Sequence, residues 1–213
     1  MPAEFKPFNP NKAKEVYRIK LPHWRQPGAT YFVTWRLADS IPQAKVRELD
    51  ELRTNWLKSN GVKNIDSAPE HIRNAYHRQF TARMHDWLDG GLGACELRRP
   101  ECAEIVSTAL RFFDGSRYVL DEFVIMPNHV HALFAPAPVF SLTGILHSWK
   151  SFTGHAINKM LRRSGEFWLS ESWDHIVRSR AHLEHFRNYV RDNPKKAGLP
   201  EGAFLLGRGL GIN

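Results

Sequence analysis

An α+β domain built as a split β-α-β unit is what the sequence predicts, and three observations lead there. The run Tyr31-Phe32-Val33-Thr34-Trp35-Arg36-Leu37-Ala38 is rich in β-branched and aromatic residues and reads as a first strand. The runs 119–125 and 129–134 read as two antiparallel strands broken by Pro127-Asn128. Helical spacing fills the intervals before, between and after them. The order is strand, helix, two antiparallel strands, helix, strand, helix, which places one antiparallel sheet at the centre with helices packed on one face of it.

In chain order, residues 1–28 are polar, basic and interrupted by five prolines, and are expected to form an extended arm. Asp39-Ser40-Ile41-Pro42 starts a helix from about Gln43 to Lys58, with Val46, Leu49, Leu52, Trp56 and Leu57 at helical spacing. Residues from about 59 to 113 form a helical elaboration, with helices over 71–88 and 100–113 separated by Asp89-Gly90-Gly91. A helix over 142–163 offers Ile145, Leu146, Trp149, Phe152, Ile157 and Met160 as buried positions. Phe167–Leu169 and His175–Arg178 read as one short strand each. The last helix, 181–192, is expected to stop at Asn193-Pro194. Residues 29–199 thus form a single domain, and the glycine-rich stretch 200–213 is expected to be a flexible tail.

Composition narrows the function. Apolar residues make up 42% of the 213, too many for a disordered chain. Thirty Lys and Arg against 22 acidic residues leave a net charge of +8, which suits a polyanionic partner through phosphate neutralisation. Cys95 and Cys102 form neither a metal-ligand spacing nor a disulfide framework and fit a reducing cytosol. No signal-peptide pattern opens the sequence, and no stretch approaches the ~18 apolar residues of a membrane span.

The chemistry-bearing residues lie in two places. His129 and His131 project from one face of their strand, one pleat apart, while Val130, Ala132 and Phe134 face the core. Two imidazoles so placed can share a metal ion, although a lone His-x-His pair equally suits two ordinary strand histidines. On the last helix, Leu183, Phe186 and Val190 form the core stripe, with Tyr189 and Asn193 one turn apart on its flank. By themselves these read as an amphipathic filler and a helix stop.

Read together, the two regions resemble a known family. Met126-Pro127-Asn128-His129-Val130-His131-Ala132-Leu133 and Tyr189-Val190-Arg191-Asp192-Asn193-Pro194-Lys195-Lys196-Ala197-Gly198-Leu199 are similar to the REP-associated tyrosine transposases, a branch of the single-tyrosine HUH transposases. Trp149-Lys150-Ser151-Phe152-Thr153, the frame Trp168 with Asp174-His175-Ile176-Val177-Arg178, Pro22-His23-Trp24 and Gly28-Ala29-Thr30-Tyr31-Phe32-Val33-Thr34 also match, in order, over residues 22 to 199. The resemblance implies a ferredoxin-like domain of the HUH endonuclease type, with the tyrosine helix across the site. It implies a metal-dependent single-stranded DNA endonuclease and strand transferase acting at palindromic hairpins, as monomer or homodimer. It makes His129 and His131 ligands of Mg²⁺ or Mn²⁺, Asn193 a third ligand and Tyr189 the nucleophile, with a 5′-phosphotyrosine intermediate and no ATP. Asn193 stands where many relatives have the longer Gln.

For DNA contacts, the candidates are Lys150, Arg162, Arg163, Arg178, Lys195 and Lys196, with Trp149 and Trp168 as stacking surfaces. His182 and His185, on the tyrosine helix, are candidate helpers of Tyr189, against the plainer reading of a solvated face. Tyr31 and Tyr118 are expected to pack in the core. Two other functions share these residues: a hairpin-binding protein without catalysis, and a metal-dependent phosphodiesterase using water.

Overall fold

The computed structural model describes residues 7–9, 15–18, 22–63, 65 and 68–210. Its centre is a five-stranded sheet of β3 (Tyr31–Leu37), β4 (Tyr118–Ile125), β5 (His129–Pro136), β6 (Trp168–Ile176) and β7 (Leu205–Arg208). The spatial order is β6-β3-β5-β4-β7, and every neighbouring pair is antiparallel. The first four strands follow the order of the split β-α-β unit. Half of the basic arm lies outside the described residues. Its described part holds β1 (Glu15–Arg18) and β2 (Pro22–Arg25), an antiparallel pair forming a second small sheet.

Helices cover both faces of the large sheet, not one as the element order suggested. α4 (Pro100–Phe112) and α5 (Leu142–Met160) lie on one face, where Tyr31, Val33, Trp35, Leu120, Phe123, Val130, Ala132 and Phe134 meet Cys102, Val106, Leu110, Ile145 and Trp149. α6 (Arg180–Lys196) lies on the other, where Leu183, Phe186 and Val190 pack on Phe32, Val124, Met126 and Leu133. Burying three such side chains stabilises the docking of α6 by roughly 1.5–3 kcal/mol each. The helix starts at Ser179, whose hydroxyl accepts from the His182 amide.

A third apolar cluster joins α1 (Gln43–Ser59), α2 (Glu70–Tyr76) and α3 (Ala82–Asp89), around Leu49, Phe80, Met84 and Leu88. A π-helical turn, His77–Thr81, links α2 to α3. Among the described residues no helix is long and apolar enough to cross a membrane.

Several expectations change. Residues 167–178 contain one continuous strand, β6, where two short ones were expected. It is the sheet's edge, so its polar middle, Ser170–Asp174, stays half-wet and hides the strand pattern. α6 runs through Pro194 to Lys196, because a proline in the last turn already has helical φ and costs one backbone bond. Asn193 therefore stays helical, one turn beyond Tyr189. Phe152 and Met160 are exposed, at 60% and 42%, where burial was expected.

The glycine-rich tail, expected to be mobile, supplies β7 instead. Gly207 faces the ring of Phe123 and Gly209 the carbonyl of Leu120, both too closely for a Cβ to fit. Gly209 N–H donates to Asp121 O (2.8 Å), and Leu210 N–H to Asp114 Oδ2 (2.7 Å). These glycines serve close approach, not freedom. Gly209→Ala should lower stability by about 1–3 kcal/mol in urea unfolding and speed amide exchange at Leu205–Arg208. An unchanged midpoint would show that this segment contributes nothing to the fold.

Candidate active site

Alternation along β5 sends Val130, Ala132 and Phe134 toward α4 and α5, and His129 and His131 toward α6. Both histidines are buried, at 1% and 0% exposure. Their Nε2 atoms lie 3.0 Å apart. Two bare nitrogens stay that close only with a proton or a cation between them. The spacing is that of two ligands about 2.1 Å from one ion at an angle of about 90°.

The other ring nitrogens explain why Nε2 is presented. Nδ1 of His129 lies 2.7 Å from Asn128 Oδ1, and the Asn128 Nδ2 donates to Leu92 O (3.0 Å). That second bond makes Oδ1 the acceptor, so the His129 proton sits on Nδ1 and Nε2 is bare. Nδ1 of His131 lies 2.7 Å from the hydroxyl of Thr34, its cross-strand neighbour. That hydroxyl can accept the Nδ1 proton and leave Nε2 free to bind an ion. Arg36, across from His129, directs its guanidinium to Ser40 Oγ (2.9 Å) and the ring of Trp173.

α6 brings Tyr189 and Asn193 to the same place. The Tyr189 ring meets His131 edge-on, centroids 5.2 Å apart, and packs at 5.6 Å on Phe32. Lys196 Nζ stands over the tyrosine ring at 5.4 Å. Burial, then the charges of Asp89 and Asp86, pushes the Tyr189 phenol well above its ordinary range. Asn193 is fully buried, and its Oδ1 has no hydrogen-bond donor. An orphaned amide oxygen is costly unless something else satisfies it.

Asp89, absent from the sequence reading, completes the cluster. Its Oδ1 accepts from Asn193 Nδ2 at 3.4 Å and lies 3.8 Å from His129 Nε2. Burial raises its carboxyl to about 6. Among the described residues no three His, Cys, Asp or Glu side chains form a metal cluster on their own. The donor set present is two imidazoles and an amide oxygen, which suits a divalent cation that retains water.

α6 is held over the sheet by two ion pairs. A bulge in β4 between Leu120 and Phe123 turns both Asp121 and Glu122 toward α6. Arg187 Nε donates to Asp121 Oδ2 at 2.9 Å, and Arg191 makes a two-pronged pair with Glu122.

The expected DNA contacts divide. Trp149 and Trp168 are core residues, 4% and 6% exposed, not stacking surfaces. Their indole N–H groups donate to Tyr118 Oη and Thr153 Oγ1. Lys150 is committed inward as well, its ammonium donating to the carbonyls of Leu169, Ser170 and Glu171 at 3.0–3.2 Å. Burial lowers its pKa to about 8. Arg162, Arg178 and Lys195 are exposed, and Arg163 reaches Glu96 at 3.7 Å and the Phe167 ring. His182 packs on Phe186 with centroids 4.5 Å apart, and His185 at 5.6 Å. Tyr31 and Tyr118 are buried, as expected.

Residues 99–193 match the family described as Transposase IS200 like. That segment carries β4, β5, α5, β6 and most of α6, and so holds His129, His131, Tyr189 and Asn193. No curated protein matches the chain. Among solved structures, a REP-associated tyrosine transposase bound to a REP hairpin is similar at 16% identity and TM-score 0.43, over 88% of this chain and 76% of that one. A Deinococcus radiodurans crystal structure named for a transposase is similar at 10% identity and TM-score 0.31, over 89% and 98%.

Lys150→Met should destabilise the protein by about 2 kcal/mol, because three backbone carbonyls lose their shared charged donor, and lower Tm by about 6 °C. An unchanged Tm would return Lys150 to the surface role first expected of it.

Proposed function

We propose that this chain is a metal-dependent single-stranded DNA transposase that cuts and rejoins strands at palindromic hairpins through Tyr189. One observation carries the reading. Two buried imidazole Nε2 atoms converge at 3.0 Å beside a helix that presents a tyrosine and, one turn on, a buried amide oxygen with no hydrogen-bond donor among the described residues. The match of residues 99–193 to IS200-like transposases supports it.

Mg²⁺ or Mn²⁺ held by His129, His131 and the Asn193 Oδ1 would supply Lewis acidity at the scissile phosphate. The protein's own groups do the rest. Asn128 and Thr34 fix both rings so that Nε2 faces the site, and α6 sets the phenol beside them. Lys196 places positive charge over the Tyr189 ring and favours the phenolate against the burial that opposes it. The tyrosine oxygen forms a bond to phosphorus as the phosphorus–O3′ bond breaks, leaving a 5′-phosphotyrosine. The departing 3′ oxygen takes up a proton. The phosphoester energy stays in the new bond, so rejoining needs no ATP. The exposed Arg162, Arg178 and Lys195 would add positive charge toward the DNA backbone.

The test is a denaturing gel of protein incubated with hairpin-bearing single-stranded DNA and Mn²⁺. A covalent protein–DNA band that disappears with Tyr189→Phe and with EDTA is the expected result. The loss on Tyr189→Phe should exceed about 10³-fold, since no other group can form the ester. Cutting that survives Tyr189→Phe would mean that water is the nucleophile. Salt-sensitive binding without cutting would mean a hairpin-binding protein.

A further inference from the structure

The segment that matches the transposase family begins at residue 99, so α1, α2 and α3 lie outside it. Yet the last residue of α3 reaches the site. Asp89 Oδ1 lies 3.4 Å from Asn193 Nδ2 and 3.8 Å from His129 Nε2. Its side chain is 22% exposed, so a carboxylate is held largely out of water against an imidazole and an amide. Among the described residues no arginine or lysine forms an ion pair with it in the manner of Arg187 with Asp121, and Lys196 acts on it through its charge.

Two consequences follow from that placement. An amide has one donating and one accepting end. By accepting from Nδ2, Asp89 fixes which end of Asn193 is spent, and the oxygen is the end left over, buried without a donor. The carboxylate also sets a negative charge 3.8 Å from His129 Nε2, where a cation is attracted. The backbone supports the same junction: Asn128, which fixes the His129 tautomer, donates to Leu92 O just beyond α3.

The geometry points to Asp89 as a positioning residue of the metal site, orienting the Asn193 amide toward the ion and raising cation affinity by its charge. The helical cluster α1–α3 then has a part in the chemistry, because it is what delivers this carboxylate. The inference rests on the proposal that His129 and His131 bind a divalent cation.

The test is Mn²⁺ affinity of the full chain, followed by the electron paramagnetic resonance signal of free Mn²⁺ during titration, with no DNA present. Asp89→Asn keeps an acceptor for Asn193 Nδ2 but loses the charge, and should weaken binding about tenfold. Asp89→Ala loses both and should weaken it by up to about 100-fold, the range typical of groups that orient a metal ligand. His129→Ala should abolish the binding altogether. Affinities of both Asp89 variants within twofold of the parent would overturn the inference and leave the metal site standing. If the parent itself fails to bind Mn²⁺, the metal reading falls and this inference with it. Should Asp89→Ala not fold, the isosteric Asp89→Asn alone decides, since its tenfold loss has no structural counterpart.

Discussion

The site depends first on the register of β5 between β3 and β4. Thr34, His131 and Val124 stand side by side across three strands, and this row fixes where the second imidazole lies and what its Nδ1 touches. A slip of one residue would turn both histidines into the apolar layer and put Val130 and Ala132 beneath α6. The register is held by the opposite face, where Trp35, Val130, Phe134 and Trp149 are packed too tightly to accept imidazoles.

The second requirement is that α6 stay in place over that face. Its apolar stripe of Leu183, Phe186 and Val190 is short, and its neighbours in the sheet include polar residues. The bulge in β4 compensates by presenting two consecutive carboxylates where a regular strand would present one. Arg187 and Arg191 lie one turn apart, and the two pairs fix rotation about the helix axis as well as its height. Tyr189 and Asn193 lie on the other flank of the apolar stripe, so their aim toward His131 and Asp89 is a consequence of the same anchoring.

Much of this was legible in the sequence. The three inner strands, the helices between them and the His129–His131 face follow from period-two and period-3.6 patterning, and the resemblance named Tyr189 and Asn193 as well. What escaped was of four physical kinds. Contacts between distant segments, such as Asp89 with Asn193, leave no local pattern, and an aspartate before two glycines reads simply as a helix end. Residues with two natures misled: Lys150 has a long apolar stem and reaches backbone carbonyls from within, and the indoles of Trp149 and Trp168 find their partners inside the core. Glycine was ambiguous, since Gly207 and Gly209 serve tight packing of an edge strand but read as a loose tail. The polar run of β6 was hidden because an edge strand needs no second apolar face.

The two faces of the sheet divide labour residue by residue. Along β5, one neighbour holds the core together and the next meets the chemistry, only a few ångströms of backbone apart. His129, His131 and Thr34 are not members of the large apolar cluster, whereas Val130 and Ala132 are. A scaffold so arranged can exchange its reactive groups one at a time without being rebuilt. It can equally lose catalysis and persist as a folded, basic protein, so a descendant with altered chemistry would keep every strand in its place.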